Sequence, residues 1–365
     1  MAIKTALLFL IATFVYAESR DVLRFPSRII TKENIIADHE SVPEDETSYF
    51  NGASLAYVTP WNNKGYDLAK ITADKLSHIS PVWLQLKPTS DEESCHITGD
   101  HDIDHGWMED LKTKNPDVKI VPRVLFEEWS INSLVEMMND EKWSHSCMNV
   151  LRNLITRHRF DGVVLEVWSA AMLKSQGKIA PLMIEFLSSW GDSFNEKDLE
   201  TVVVVGAPLF TEYRETGMFT ASHLYQLGPR VDYIQMMTYD FPSSNPSGVA
   251  PYEWIEKSIQ TVLDGSQLLA KKLMIGINYY GYEYPKGGGQ HSVKYDKYLE
   301  LLKSPDTTLD FDIDSLEHML KTPNSVVYYP SIASIELRMK LAEEYGVGIA
   351  IWDYGQGFNY FTKLL

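Results

Sequence analysis

From Gly52 onward, short runs rich in β-branched and aromatic residues alternate with stretches of helix-type spacing, and the alternation repeats eight times. The runs fall at residues 55–58, 78–84, 119–125, 162–167, 201–206, 233–237, 273–277 and 347–352. Several are apolar on both faces, the pattern of parallel strands covered on each side. The stretch after Ser331 shows the helical half of the repeat: Ile335, Met339 and Ala342 flank Leu337 and Leu341 until Gly346 stops it. Eight strand–helix units over about 310 residues predict an α/β fold, a closed (β/α)8 TIM barrel. An open doubly wound sheet is the alternative, but no glycine-rich phosphate loop follows the first strand. The gap between strands seven and eight exceeds one helix, predicting a small α+β insertion at about 283–330 beside the barrel mouth. Within it, 308–312 and 325–329 resemble strands flanking 316–320.

The remaining segments bound compartment and partners. Lys4, an apolar core over 5–14 and the small-residue site Val15-Tyr16-Ala17 predict a signal peptide over 1–17. No other apolar stretch approaches the roughly 20 residues a membrane span needs, so a secreted or luminal, non-spanning chain is expected. Residues 18–50 are weakly periodic and end in an acidic, proline-containing run, which reads as a flexible extension; 51–365 form the barrel domain. A net charge of −17 argues against nucleic acid and anionic membranes as general partners. Cys95 and Cys147 are the only cysteines, open to one disulfide or two free thiols. His96, His101 and His105 lack a carboxylate or cysteine frame, so no metal is expected, and no motif calls for a cofactor.

The chemistry centres on Phe160-Asp161-Gly162-Val163-Val164-Leu165-Glu166-Val167-Trp168. Strand alternation places Val164, Glu166 and Trp168 on one face, with Trp168 at the C-terminal end, where barrels place ligands. Other strand ends carry Tyr57, Trp61, Trp83, Trp129, Tyr239, Asp240, Phe241, Tyr279, Tyr280, Tyr282 and Trp352. Flat aromatic faces suit the C–H faces of sugars. Covering on the order of 100 Å² per sugar at about 25 cal/mol/Å² gives ~2 kcal/mol per platform. Glu127, Glu128, Glu166 and Asp240 supply carboxylates for acid/base work. Against this stands a structural ion pair between Glu166 and Arg123 of the neighbouring strand.

These residues resemble glycoside hydrolase family 18, the chitinases and chitinase-like lectins. Tyr57 with Trp61 is similar to the family's first-strand aromatic pair, and Met237, Tyr239 and Asp240 to its sixth-strand Met-x-Tyr-Asp. Tyr280-Gly281 and Trp352 match its seventh and eighth strands. The family's Asp-x-x-Asp-x-Asp-x-Glu falls on Asp161, Val164, Glu166 and Trp168, so tryptophan stands where the catalytic proton donor belongs. Tyr282 stands where many active relatives carry arginine. Longer blocks, such as residues 57–62, 79–87 and 355–357, resemble a catalytically degenerate branch, the chitinase domain-containing proteins. The resemblance implies a secreted or lysosomal, catalytically inactive protein that binds saccharides or glycoconjugates through Tyr57, Trp61, Trp83, Trp129, Glu166, Trp168, Met237, Tyr239, Asp240, Tyr280 and Trp352. Two alternatives accompany it: an atypical hydrolase using Glu166, Glu127 or Glu128 as acid, and a scaffold with a vestigial groove and a protein receptor.

Overall fold

The computed structural model describes residues 23–44 and 47–365, so the leader expected over 1–17 lies outside the described residues. Its strands are β1 (Ser54–Val58), β2 (His78–Pro81), β3 (Leu84–Pro88), β4 (Cys95–Thr98), β5 (Lys119–Ile120), β6 (Arg123–Phe126), β7 (Gly162–Glu166) and β8 (Glu200–Gly206). They continue as β9 (Tyr233–Met237), β10 (Leu273–Asn278), β11 (Gly281–Pro285), β12 (His291–Val293), β13 (Thr308–Asp312), β14 (Glu317–Lys321), β15 (Ser325–Tyr328) and β16 (Gly348–Trp352).

All eight expected runs are strands, and they pair in parallel around a ring. β1 lies between β2 and β16, and the ladder runs on through β10, β9, β8, β7 and β6. Two runs are broken, the second at Val82-Trp83 and the third at Val121-Pro122. Proline has no N–H to give a ladder, and Pro81 and Pro122 sit at these breaks. The pieces still pair, β2 with β5 and β3 with β6, which closes the ring into a mixed α/β, TIM-barrel-like fold. Val82 N–H to Val58 O and Val121 N–H to Ile79 O, each 2.9 Å, carry the ladder across the gaps.

Alternation sorts side chains into two cores. Leu55, Val121, Val164, Val202, Met274 and Ala350 pack inside the ring. A larger apolar layer lies between ring and helices. Each fully buried valine or leucine contributes roughly 1.5–3 kcal/mol.

The chain between β10 and β16 builds a second, antiparallel sheet of order β12-β11-β15-β14-β13. Residues 317–321 are one of its strands. Its anchor is a buried charge pair, Glu317 on β14 and Arg338 on the helix Ile332–Tyr345. The Glu317 carboxylate accepts N–H bonds from Val249 and Ala250, while Arg338 donates to the carbonyls of Ala250, Ser315, Leu316 and Ser334. Burial pushes the Glu317 carboxyl up, against the opposing pull of Arg338 and the two amides.

Cys95 on β4 and Cys147 in the helix Glu141–Arg157 are disulfide-bonded, with Cα atoms 4.8 Å apart. The flexible extension expected over 18–50 needs correction for its described part. Lys32–Asp38 form a helix capped by the Thr31 hydroxyl, with Ile35 buried. Lys32 Nζ donates to the carbonyls of Ser304 (2.7 Å) and Thr307 (2.9 Å), and the Glu336 carboxylate accepts from the amides of Arg24 and Phe25. A seven-residue helix is unstable alone and too short for a visible period; docking against distant residues holds it.

Candidate functional site

Parallel strands bring their C-terminal ends to one mouth. Tyr57 from β1, Arg123 from β6, Glu166 from β7, Gln235 and Met237 from β9 and Trp352 from β16 converge there. The Tyr57 and Trp352 rings meet edge to face at 5.1 Å, and the Arg123 guanidinium lies 5.9 Å from the Trp352 ring centroid. Arg123 Nε donates to Glu166 Oε2 at 2.7 Å, so the structural pairing weighed from sequence is present. The pair remains wetted: the Glu166 side chain is 27 % exposed and that of Arg123 14 %.

Gln235 was not anticipated. Its Oε1 accepts from the Tyr57 hydroxyl at 3.2 Å, and its Nε2 donates to Met236 O at 2.8 Å. One amide thereby ties the Tyr57 ring to the β9 backbone. Only its parity, two residues before Met237, pointed into the ring. Gly276 leaves room for the Tyr239 ring, which a Cβ there would meet at 2.6 Å.

Asp240 leaves β9 with a left-handed φ of 57°. Its Oδ1 accepts from the hydroxyls of Tyr280 and Tyr282, the latter at 2.6 Å. Burial, then the nearby carboxylate, pushes both phenols well above their usual range, so both are standing donors. Tyr282 belongs to β11, so this carboxylate joins the ring to the second sheet.

The other expected positions disperse. Trp168 is fully buried, and its indole N–H donates to Met218 O at 2.9 Å between Phe219 and His223. The cause is local: the strand stops at Glu166, Val167 takes ψ −33°, and Trp168 opens the helix Trp168–Ser175. Alternation therefore ends early, and Trp168 packs in the outer layer instead of facing the groove with Val164 and Glu166. Trp83 and Trp129 are likewise buried there, their indoles donating to the Tyr66 hydroxyl (2.5 Å) and to Leu86 O (2.9 Å). These three are not groove residues. Asp161 serves the opposite end of β7, accepting from Ile120 N and pairing with Lys112 at 2.9 Å.

Trp61 is 62 % exposed on the loop after β1. Glu127 and Glu128 share Lys87, at 2.8 and 2.7 Å. Hydrogen bonding from Lys87 holds the Glu128 carboxyl below the usual carboxylate range, the reverse of what a general acid needs. No group of three or more metal-type ligands occurs among the described residues. A cavity of about 840 Å³ lies away from the mouth, lined by Arg152, Ser189, Asp192 and Arg230 of the outer face.

Residues 53–357 match Glycosyl hydrolases family 18, and the chain belongs to that family. Among solved structures it is similar to a chitinase from Chromobacterium violaceum, with TM-score 0.71 and 19 % identity over 86 % of this chain and 98 % of that one. The spore cortex-lytic enzyme SleL of Bacillus megaterium aligns with TM-score 0.69 and 16 % identity, over 88 % of this chain and 75 % of that one. A class V chitinase from Nicotiana tobaccum in complex with NAG4 gives TM-score 0.68 and 15 % identity, over 85 % and 96 %. An uncharacterized glycosylase of Bacillus subtilis is 23 % identical over 195 residues, 49 % of this chain and 54 % of that protein, so the match spans about half its length.

Proposed function

We propose that this chain is a non-hydrolytic saccharide-binding member of the family, of the chitinase domain-containing branch, exported by its leader to the secretory or lysosomal space. The observation that carries the reading is position 168. There the family's proton donor is replaced by a tryptophan whose ring is buried away from the mouth. Family chemistry needs an acid to protonate the leaving oxygen, and an indole N–H cannot serve near neutral pH. What remains at the mouth suits binding: the half-buried Trp352, backed by the buried Tyr57 ring, the exposed Trp61, and the carboxylate of Asp240 held by two phenols. Chitin-type oligosaccharides are the proposed ligands, by analogy with the chitinases sharing the fold.

One observation favours a second reading, hydrolysis by Glu166, because that carboxylate is partly open to solvent at the mouth. It lies on the strand end two residues before the lost position and is bound by Arg123. Titration calorimetry with chitotetraose, followed by chromatography of the mixture, separates the two. Binding with intact sugar, abolished in Trp352→Ala, upholds the lectin reading. Cleavage that disappears in Glu166→Gln replaces it with the hydrolase.

A further inference from the structure

Trp61 and Trp352 stand on different loops, and one buried carboxylate joins those loops. Asp353 directly follows Trp352 and is fully buried. Its Oδ2 accepts from the Thr59 hydroxyl at 3.1 Å and from Gln356 Nε2 at 2.7 Å. Its Oδ1 accepts from Gly355 N at 3.1 Å and from Asn62 Nδ2 at 3.4 Å. Two donors thus come from its own turn and two from the loop after β1. Those two, Thr59 and Asn62, bracket Trp61.

The surroundings leave little room for slippage. A Cβ at Gly355 would meet Asn62 Nδ2 at 2.5 Å and Gly65 N at 2.7 Å, so this turn packs directly on the end of the first loop and on the backbone of the helix Asn63–Thr72 that follows it. Tyr354 N–H donates to Tyr57 O at 2.9 Å, extending the contact to β1. A carboxylate is acceptor-only and can take several donors at once, which suits it to tie two loops at a single point. Loops otherwise move independently of the ring that carries them.

We propose that Asp353 is a positioning residue that fixes Trp61 relative to Trp352, so that an extended oligosaccharide meets both rings in one register. The inference rests on the saccharide-binding reading above and adds a ligand property, preference for chain length. A short oligosaccharide uses the inner platform alone. A longer one gains from Trp61 only while the two loops stay in register.

Thr59→Val tests this with little risk to folding, since it is nearly isosteric and removes one donor to Asp353. Wild-type protein is titrated with chitobiose and with chitohexaose, alongside Thr59→Val, Trp61→Ala and the double variant. Wild type is expected to favour the hexamer. Thr59→Val should lose about fivefold on the hexamer, the scale of one hydrogen bond, and nothing on the dimer. That loss should vanish in the Trp61→Ala background, because Thr59 acts through the ring. Equal loss on both ligands, or a loss that persists without Trp61, overturns the proposal.

Amide hydrogen exchange supplies a ligand-free readout. Thr59→Val should speed exchange in residues 60–65 and 353–357 together, and faster exchange in one loop alone also overturns the coupling. Wild type that binds neither oligosaccharide overturns the saccharide reading and, with it, the length preference, while the exchange result separates that failure from a failure of the coupling.

Discussion

Trp168→Glu puts a carboxyl at the position where the proposed reading has the family's proton donor lost, and the geometry predicts that it will not confer hydrolysis. The indole it removes is fully buried, packed 5.7 Å from Phe219 and 5.3 Å from His223 by ring centroids, and bonded to Met218 O. Truncating such a tryptophan costs roughly 3–5 kcal/mol. Burying a carboxylate among apolar neighbours adds several kcal/mol more unless it stays protonated. The sum is about 6 kcal/mol or above, against a total stability of about 5–15 kcal/mol for a typical protein. The variant should therefore be largely unfolded or strongly destabilised at pH 7 and should recover as pH falls and the carboxyl neutralises. Trp168→Phe, which loses one hydrogen bond and part of the ring, should cost about 1–2 kcal/mol and fold normally. Urea unfolding followed by near-UV circular dichroism measures both, and a chromogenic chitobioside measures turnover in the folded fraction. A Trp168→Glu protein with wild-type stability and new chitobiosidase activity would refute the outward placement of residue 168 and the account of inactivity built on it.

Three further outcomes follow from buried features. Arg338→Met strands the Glu317 carboxylate and should destabilise by about 3–5 kcal/mol at pH 7, with the deficit shrinking toward pH 4 as Glu317 takes up its proton; a pH-independent deficit would contradict the pairing. Burial lowers His318 to about 4 from 6.5, only partly offset by a bond to the Ser27 backbone. Its folded value is depressed, so its contribution is complete above pH 6.5 and declines by about 3 kcal/mol as pH falls through 4. Urea midpoints at pH 7 and pH 4 should thus diverge more in wild type than in His318→Gln. Reducing the Cys95–Cys147 bond, which spans a separation of 52 residues, should remove up to about 4 kcal/mol, read as a lower unfolding midpoint with thiol reagent present.

The ring was legible because its strands are buried on both faces and need continuous apolar runs, a pattern that no surface constraint interrupts. Arg123 and Glu166 were legible as a pair because both occupy inward parity on neighbouring strands. The tryptophans were harder, since which way each one turns depends on where its strand stops. Pro81 and Pro122 break the second and third runs, and Val167 ends the fourth one residue before parity would have aimed Trp168 inward. Asp353 and Gln235 escaped notice for another reason. The donors to Asp353 on the first loop lie 294 and 291 residues away, and Gln235 acts on Tyr57 across 178 residues. Local pattern carries no trace of such bonds.

The shared bond at Asp240 gives the mouth a mechanical character. Asp240 belongs to the ring and Tyr282 to the second sheet, so the groove wall is a seam between two bodies. If the proposed saccharide lies across it, the ligand would act as a staple. It would join by surface contact the same two parts that the buried Glu317–Arg338 pair rivets from within, so that ligand and charge pair would resist the same opening.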